Sequence, residues 1–188
     1  MTFERKTVKS RQGRGHGATP ETIMSRTVII SGPVRAGKTT AIERWCVGRS
    51  DTVGILQPVR RDGRHFLDIA SQTSVPLEMV SNDQATEEVG RFRFSKAAFA
   101  WAEERLQIAA KDPEARFVLV DEIGPLELSG RGLDSVIRGT LAGISGILVL
   151  VVRETLVETV VAAYSIRDAA IVSAVEWPHV AQDLIARP

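Results

Sequence analysis

The stretch Gly32-Pro-Val-Arg-Ala-Gly37-Lys38-Thr39 constrains this chain more tightly than any other. Two glycines with four residues between them, followed at once by lysine and a hydroxyl, let a backbone curl closely around an anion. Successive N–H groups then converge on its oxygens. The apolar run VIIS precedes the motif and an apolar-periodic helix follows it, so the loop delivers the anion to a helix N-terminus and its partial positive charge. A chain of phosphates fits this description. Gly32, Pro33, Val34, Arg35, Ala36, Gly37, Lys38, Thr39 and Thr40 are therefore assigned to the phosphates of a nucleotide, ATP, GTP or another NTP. Lys38 should reach the β- and γ-phosphates, and the Thr39 hydroxyl should ligate Mg²⁺.

From Thr27 onward, short β-rich runs alternate with helical stretches. Strands are expected at Thr27–Ser31, Thr52–Gln57, Arg116–Asp121, Gly146–Val152 and Ala169–Val175. Helices are expected near Lys38–Gly48, Lys96–Lys111, Arg131–Ala142, Glu154–Tyr164 and Pro178–Ile185. FVLVD and ILVLVV are apolar throughout, as parallel strands covered on both faces must be. Repetition of strand and helix implies an α/β sandwich with right-handed crossovers. Between the second strand and second helix lies an insert, Val59 to Phe94, with two short strands expected at His65–Ala70 and Leu77–Val80 as a small hairpin.

A second chemical signal is Phe117-Val-Leu-Val-Asp121-Glu122, four apolar residues ending in two acids. It sets Asp121 at the C-terminal edge of a buried strand, where open α/β sheets bind ligands. Asp121 is expected to hold Mg²⁺ through water, and Glu122 to orient or deprotonate the attacking water. The adjacent glutamate favours a sheet with one strand between the loop strand and the acid strand, in the order 5-1-4-3-2. Arg153, just past the fourth strand, then has two readings: a guanidinium facing the γ-phosphate, or a surface ion pair with Glu154 or Glu158. Arg35 and Arg131 are further candidates. The insert carries Arg60, Arg61, Arg64, Arg91 and Arg93, which as a group suit a cap over the nucleotide or an anionic second substrate, or simply a solvated face. Trp45 and Trp101 lie at helical spacing among apolar neighbours and read as core. The histidines have no metal-ligand spacing.

Composition removes several classes of function. The net charge is +1 over 188 residues, so no global field draws the chain to nucleic acid or an acidic membrane. No apolar run reaches the roughly 18 residues needed to cross a bilayer. The single Cys46 cannot form an internal disulfide, which suits a reducing compartment, and the cytoplasm is the expected location. Residues 1–25 are basic and nearly devoid of apolar side chains, and read as a flexible tail ahead of one domain over 26–188. Met24 as the true start is an equally good reading of that composition break.

GPVRAGKTT, GILQPVRRDGRHFLDI, VGRFRFSKAAFAWA and FVLVDEIGPLEL together resemble the cancer-related nucleoside-triphosphatase family, which has thermophile members. The resemblance runs from about Thr27 to Val152, and DEIGP-x-EL is its most specific element. It implies a P-loop NTPase three-layer sandwich, with a mainly parallel five-stranded sheet and a small β insert after the second strand. It also implies hydrolysis of NTP to NDP and phosphate with loose base preference. By position, Gly32 to Thr39 are similar to the family's phosphate loop, Asp121 and Glu122 to its Mg²⁺ and water-positioning acids, and Glu127 to its second acid. The basic tail has no counterpart in the family pattern, and VEWPHVAQDL stands where members often carry Asn-Arg-Asp. Two other functions keep the same loop: a kinase phosphorylating a small metabolite held by the insert, and a nucleotide-dependent switch acting on a protein partner that the sequence does not identify.

Overall fold

The computed structural model describes residues 26–78, 86–89 and 92–186. The expected tail over 1–25, the end of the expected strand at Leu77–Val80, and Arg91 lie outside the described residues. In chain order the elements are β1 (Arg26–Gly32), α1 (Lys38–Cys46), β2 (Thr52–Leu56), β3 (Val59–Arg60), β4 (Gly63–Asp68), β5 (Ser74–Pro76), β6 (Thr86–Val89) and β7 (Phe92–Ser95). They continue with α2 (Lys96–Ala109), β8 (Phe117–Ile123), α3 (Pro125–Leu128), α4 (Asp134–Gly143), β9 (Ile147–Arg153), α5 (Val157–Ala163), β10 (Ala169–Ser173) and α6 (Trp177–Ile185).

The fold is α/β with a mostly parallel central sheet, and the alternation of side chains along its strands builds two separate cores. Ile29, Val118, Val120, Leu148, Leu150 and Val152 point to one face and meet α2, α4 and α5 through Phe99, Leu106, Ile137 and Val160. Their neighbours Val28, Ile30, Leu119, Val149 and Val151 point to the other and meet α1 and α6 through Ile42, Cys46, Trp177 and Ala181. Strands apolar at every position follow directly from this double burial. On the second face Trp45, Phe117 and Trp177 pack edge to face with ring centroids 4.9–5.5 Å apart.

The parallel strands run in the order β10-β1-β9-β8-β2. β9 thus separates the strand that feeds the glycine loop from the strand that ends in the acids. One contact in this sheet admits only glycine: Gly54 in β2 has φ +119°, and a Cβ there would stand 2.1 Å from the Leu119 carbonyl oxygen in β8.

Beyond β2 the architecture departs from a five-stranded sheet with a separate hairpin. β4 adds antiparallel to β2, and β3 and β5 both pair with β4, so the insert extends the main sheet to eight strands. The physical reason lies in β4 itself. Phe66 and Leu67 are both buried, one in each core, which a strand attains only inside the sheet. The second strand of the insert sits at Ser74–Pro76 rather than from Leu77 onward, and a further two-stranded hairpin pairs β6 with β7. The helix expected from Arg131 starts at Asp134, after Gly132 turns the chain with φ +55°. That expected at Glu154 opens with a single 3₁₀ turn, Glu154–Leu156, before α5.

Candidate active site

The C-terminal ends of β1, β9, β8 and β2 bring the candidate residues together. Gly32 ends β1 and pairs with Arg153 at the end of β9, while β8 carries Asp121 and Glu122 alongside. The loop leaves Gly32 and re-enters a helix at Gly37, whose φ of +76° makes it a left-handed N-cap without a side chain. Arg35 also has positive φ, +63°. Pro33 to Gly37 are exposed, as a surface that receives a ligand must be, and Lys38, Thr39 and Thr40 form the first turn of α1.

Lys38 is only 9% exposed, a position in which an ammonium needs partners. It donates to the carbonyl oxygens of Gly32 and Pro33, both at 2.8 Å, so the loop's own oxygens satisfy it. Thr39, the next residue, donates its hydroxyl to Asp121 Oδ2 at 2.8 Å across 82 residues of sequence. The same oxygen accepts the backbone N–H of Gln57 at 3.1 Å, from the end of β2. Asp121 is 1% exposed, and its other oxygen, Oδ1, is buried with no hydrogen-bond partner. Burial pushes its carboxyl up to about 6, only partly offset by the Gln57 and Thr39 hydrogen bonds and by Lys38, and reinforced by the charge on Glu122. A buried carboxylate with one unused oxygen, beside a threonine hydroxyl at a helix N-terminus, is an all-oxygen donor set that fits a hard divalent cation.

Glu122 points differently from its neighbour because β8 is irregular here. Asp121 pairs with Val151 and Ile123 with Val152, so Glu122 is the extra residue of a bulge, with a cis peptide joining it to Asp121. Bulges redirect side chains, and this one leaves Glu122 half-buried against Arg153 and Arg64 rather than in the core. Its Oε1 meets Arg153 Nε at 2.5 Å, and its Oε2 lies 3.6 Å from Arg64 Nη1. Of the two readings of Arg153, the surface pair with Glu154 or Glu158 is therefore not the one formed. A cavity of about 270 Å³ opens beside Gly32 between the ends of β1 and β10, with Ser31, Glu154, Ser173 and Glu176 on its walls.

Glu127 is buried and does a structural task. Its carboxylate accepts the Gly124 N–H at 3.0 Å and lies 3.5 Å from the Leu133 nitrogen, tying the four-residue α3 to the start of α4. Arg60 pairs with Glu43 on α1, Arg61 is exposed, and Arg64 alone of these three reaches Glu122. Arg131 donates to the Ser129 hydroxyl. Gln57 and Glu78 escaped the sequence reading. For Gln57 the available signal was its place at the end of an apolar strand, once that strand is set beside β8.

A family model described as NTPase matches residues 27–177. Among solved structures, the chain is similar to the solution structure of a human cancer-related nucleoside triphosphatase. The TM-score is 0.65 at 22% identity, covering 87% of this chain and 100% of that one. It is also similar to the crystal structure of THEP1 from the hyperthermophile Aquifex aeolicus, with a TM-score of 0.63 at 19% identity, covering 84% of this chain and 96% of that one. No curated protein matches it in sequence. At these identities the two structures speak for the fold. The family match itself spans β1 to the start of α6 and includes every residue of the loop and both acids, and by it the chain belongs to the NTPase family.

Proposed function

We propose that this protein is a Mg²⁺-dependent nucleoside-triphosphatase that hydrolyses NTP to NDP and phosphate with little selection of the base. The observation that carries the reading is the Thr39–Asp121 contact, with Asp121 Oδ1 left unpartnered in the core. Nothing in the folding of the sheet requires a buried carboxylate there, and its ionised form is disfavoured by burial. A cation accounts for it: Thr39 and Asp121 would hold Mg²⁺, which would supply charge neutralisation to the β- and γ-phosphates.

The chain's own residues then divide the work. Backbone N–H groups from Gly32 to Thr40 hold the phosphates. Lys38 exchanges the Gly32 and Pro33 carbonyls for the β- and γ-phosphate oxygens. Glu122 orients a water and takes its proton as the water attacks the γ-phosphorus. Arg153 stabilises the charge that develops on the γ-phosphoryl oxygens. Loose base preference is supported by the lack of an Asn-Lys-x-Asp guanine-reading motif anywhere in the sequence.

The test is phosphate release by purified protein from ATP, GTP, CTP and UTP, with and without Mg²⁺, alongside Glu122→Gln. Release from several NTPs that requires Mg²⁺ and falls about a hundredfold in the variant supports the reading. Tight binding without release would sink it, and would favour phosphoryl transfer to a small metabolite or a nucleotide-dependent switch.

A further inference from the structure

We propose that Arg64 is a second γ-phosphate-binding arginine. Arg64 and Arg153 share Glu122 between them, and a bound triphosphate takes over both guanidiniums and releases the Glu122 carboxylate. The proposal rests on the hydrolase reading for where the γ-phosphate lies, but its test does not need hydrolysis.

Topology explains how an insert residue reaches this site. Because β4 runs antiparallel to β2, its N-terminal end lies at the edge where the parallel strands end, the edge that holds Gly32, Asp121 and Arg153. The β2 partners Ile55 and Leu56 face Asp68 and Leu67, so the preceding residues of β4 project past the end of β2. Gly63, at φ +125°, starts the strand, and the Arg64 backbone N–H donates to Glu78 Oε2 at 3.0 Å. From there the guanidinium spans 3.9 Å to Glu78 Oε1 and 3.6 Å to Glu122 Oε2. Arg153 meets the opposite oxygen of Glu122 from β9.

One carboxylate thus engages two guanidiniums, one from each flank, and it is one residue from the acid that touches Thr39. Both oxygens of Glu122 thus face a guanidinium, Oε1 through the Arg153 hydrogen bond and Oε2 across 3.6 Å to Arg64, so the two arginines together set the direction of the carboxylate. A γ-phosphoryl group offers three oxygens and more charge than one carboxylate, so it can engage both guanidinium forks at once. The exchange therefore runs toward the triphosphate and away from a diphosphate, which has no γ-group to offer. Arg64 acts as a sensor of the γ-phosphate in this scheme, and the insert as the element that carries it.

The experiment compares binding of the non-hydrolysable imido analogue of ATP with binding of ADP, both with Mg²⁺, by calorimetry. Arg64→Ala should weaken the imido analogue about tenfold or more and leave ADP within about twofold. Arg64→Lys, which keeps the charge but not the fork, should recover only part and gives the same reading should the alanine variant not fold. Lys111→Ala, exposed past the C-terminal end of α2 and far along the chain from every site residue, should change neither. An unchanged preference for the triphosphate in the Arg64 variants would overturn the proposal, as would equal weakening of both ligands, which would make Arg64 purely structural. Failure of the hydrolase reading looks different: the Arg64-dependent preference would be present in a wild-type protein that releases no phosphate.

Discussion

Replacing Asp121 with asparagine should make the protein more stable at neutral pH while removing the Mg²⁺-dependent hydrolysis proposed above. The magnitude follows from the carboxyl's position. Burial raises it from an ordinary 3.8 to about 6 in the folded state. At about 1.4 kcal/mol per pH unit, the ionised form costs folding about 3 kcal/mol. The sign follows from proton uptake. Between about pH 4 and 6 the folded state binds more protons than the unfolded one, so stability falls as pH rises through that window. Above about pH 6 the loss is complete, and below about pH 4 it is absent. The replacing carboxamide is never charged, and its oxygen can still accept the Thr39 hydroxyl and the Gln57 N–H. The variant should therefore gain roughly 6–12 °C in Tm at about pH 7.5 in the presence of a chelator. That gain should vanish as the pH is lowered to about 4. Thermal unfolding by circular dichroism across this range reads it directly. A variant only as stable as wild type at neutral pH, or a difference that does not shrink in acid, would refute the idea that burial of an ionised Asp121 strains the site.

Gly54→Ala should be among the most damaging single-methyl changes in the protein. Its Cβ would stand 2.1 Å from the Leu119 oxygen in a backbone conformation that alanine avoids, and urea denaturation should show a loss of about 3 kcal/mol or more. Cys46 should be inert in the native state, since burial pushes its thiol up to about 12. At about pH 8 it should react with a thiol reagent only on unfolding, and rapid native-state labelling would contradict this.

The glycine loop and the acid strand are readable in sequence because they rest on contiguous residue types. A glycine loop needs its glycines at fixed offsets, and a buried strand ending in an acid is visible as FVLVDE. What the sequence hides is pairing across distance. The Arg153–Glu122 ion pair depends on β9 lying against β8, and nothing within the residues around Arg153 prefers Glu122 over the nearer Glu154 and Glu158. The insert reads as a separate hairpin in sequence because its strands are short. Only the free edge of β2 turns Phe66 and Leu67 into residues of the main sheet. The four-residue α3 is too brief for any apolar period to emerge. Its signal is instead local: Gly124 before Pro125, with Glu127 placed to reach back to the Gly124 N–H.

The position of β1 also governs when this protein can fold as it leaves the ribosome. Its two neighbours are β9 and β10, and the pairings begin at Arg26↔Ile147 and Thr27↔Ala169. A nascent chain that has released α1 through α4 still holds β1 without a partner, however complete β2, β4 and β8 are among themselves. β1 is thus made early, while both strands that pair with it are made late. Long-range closure of this kind slows folding and extends the interval in which a chaperone finds apolar strand exposed.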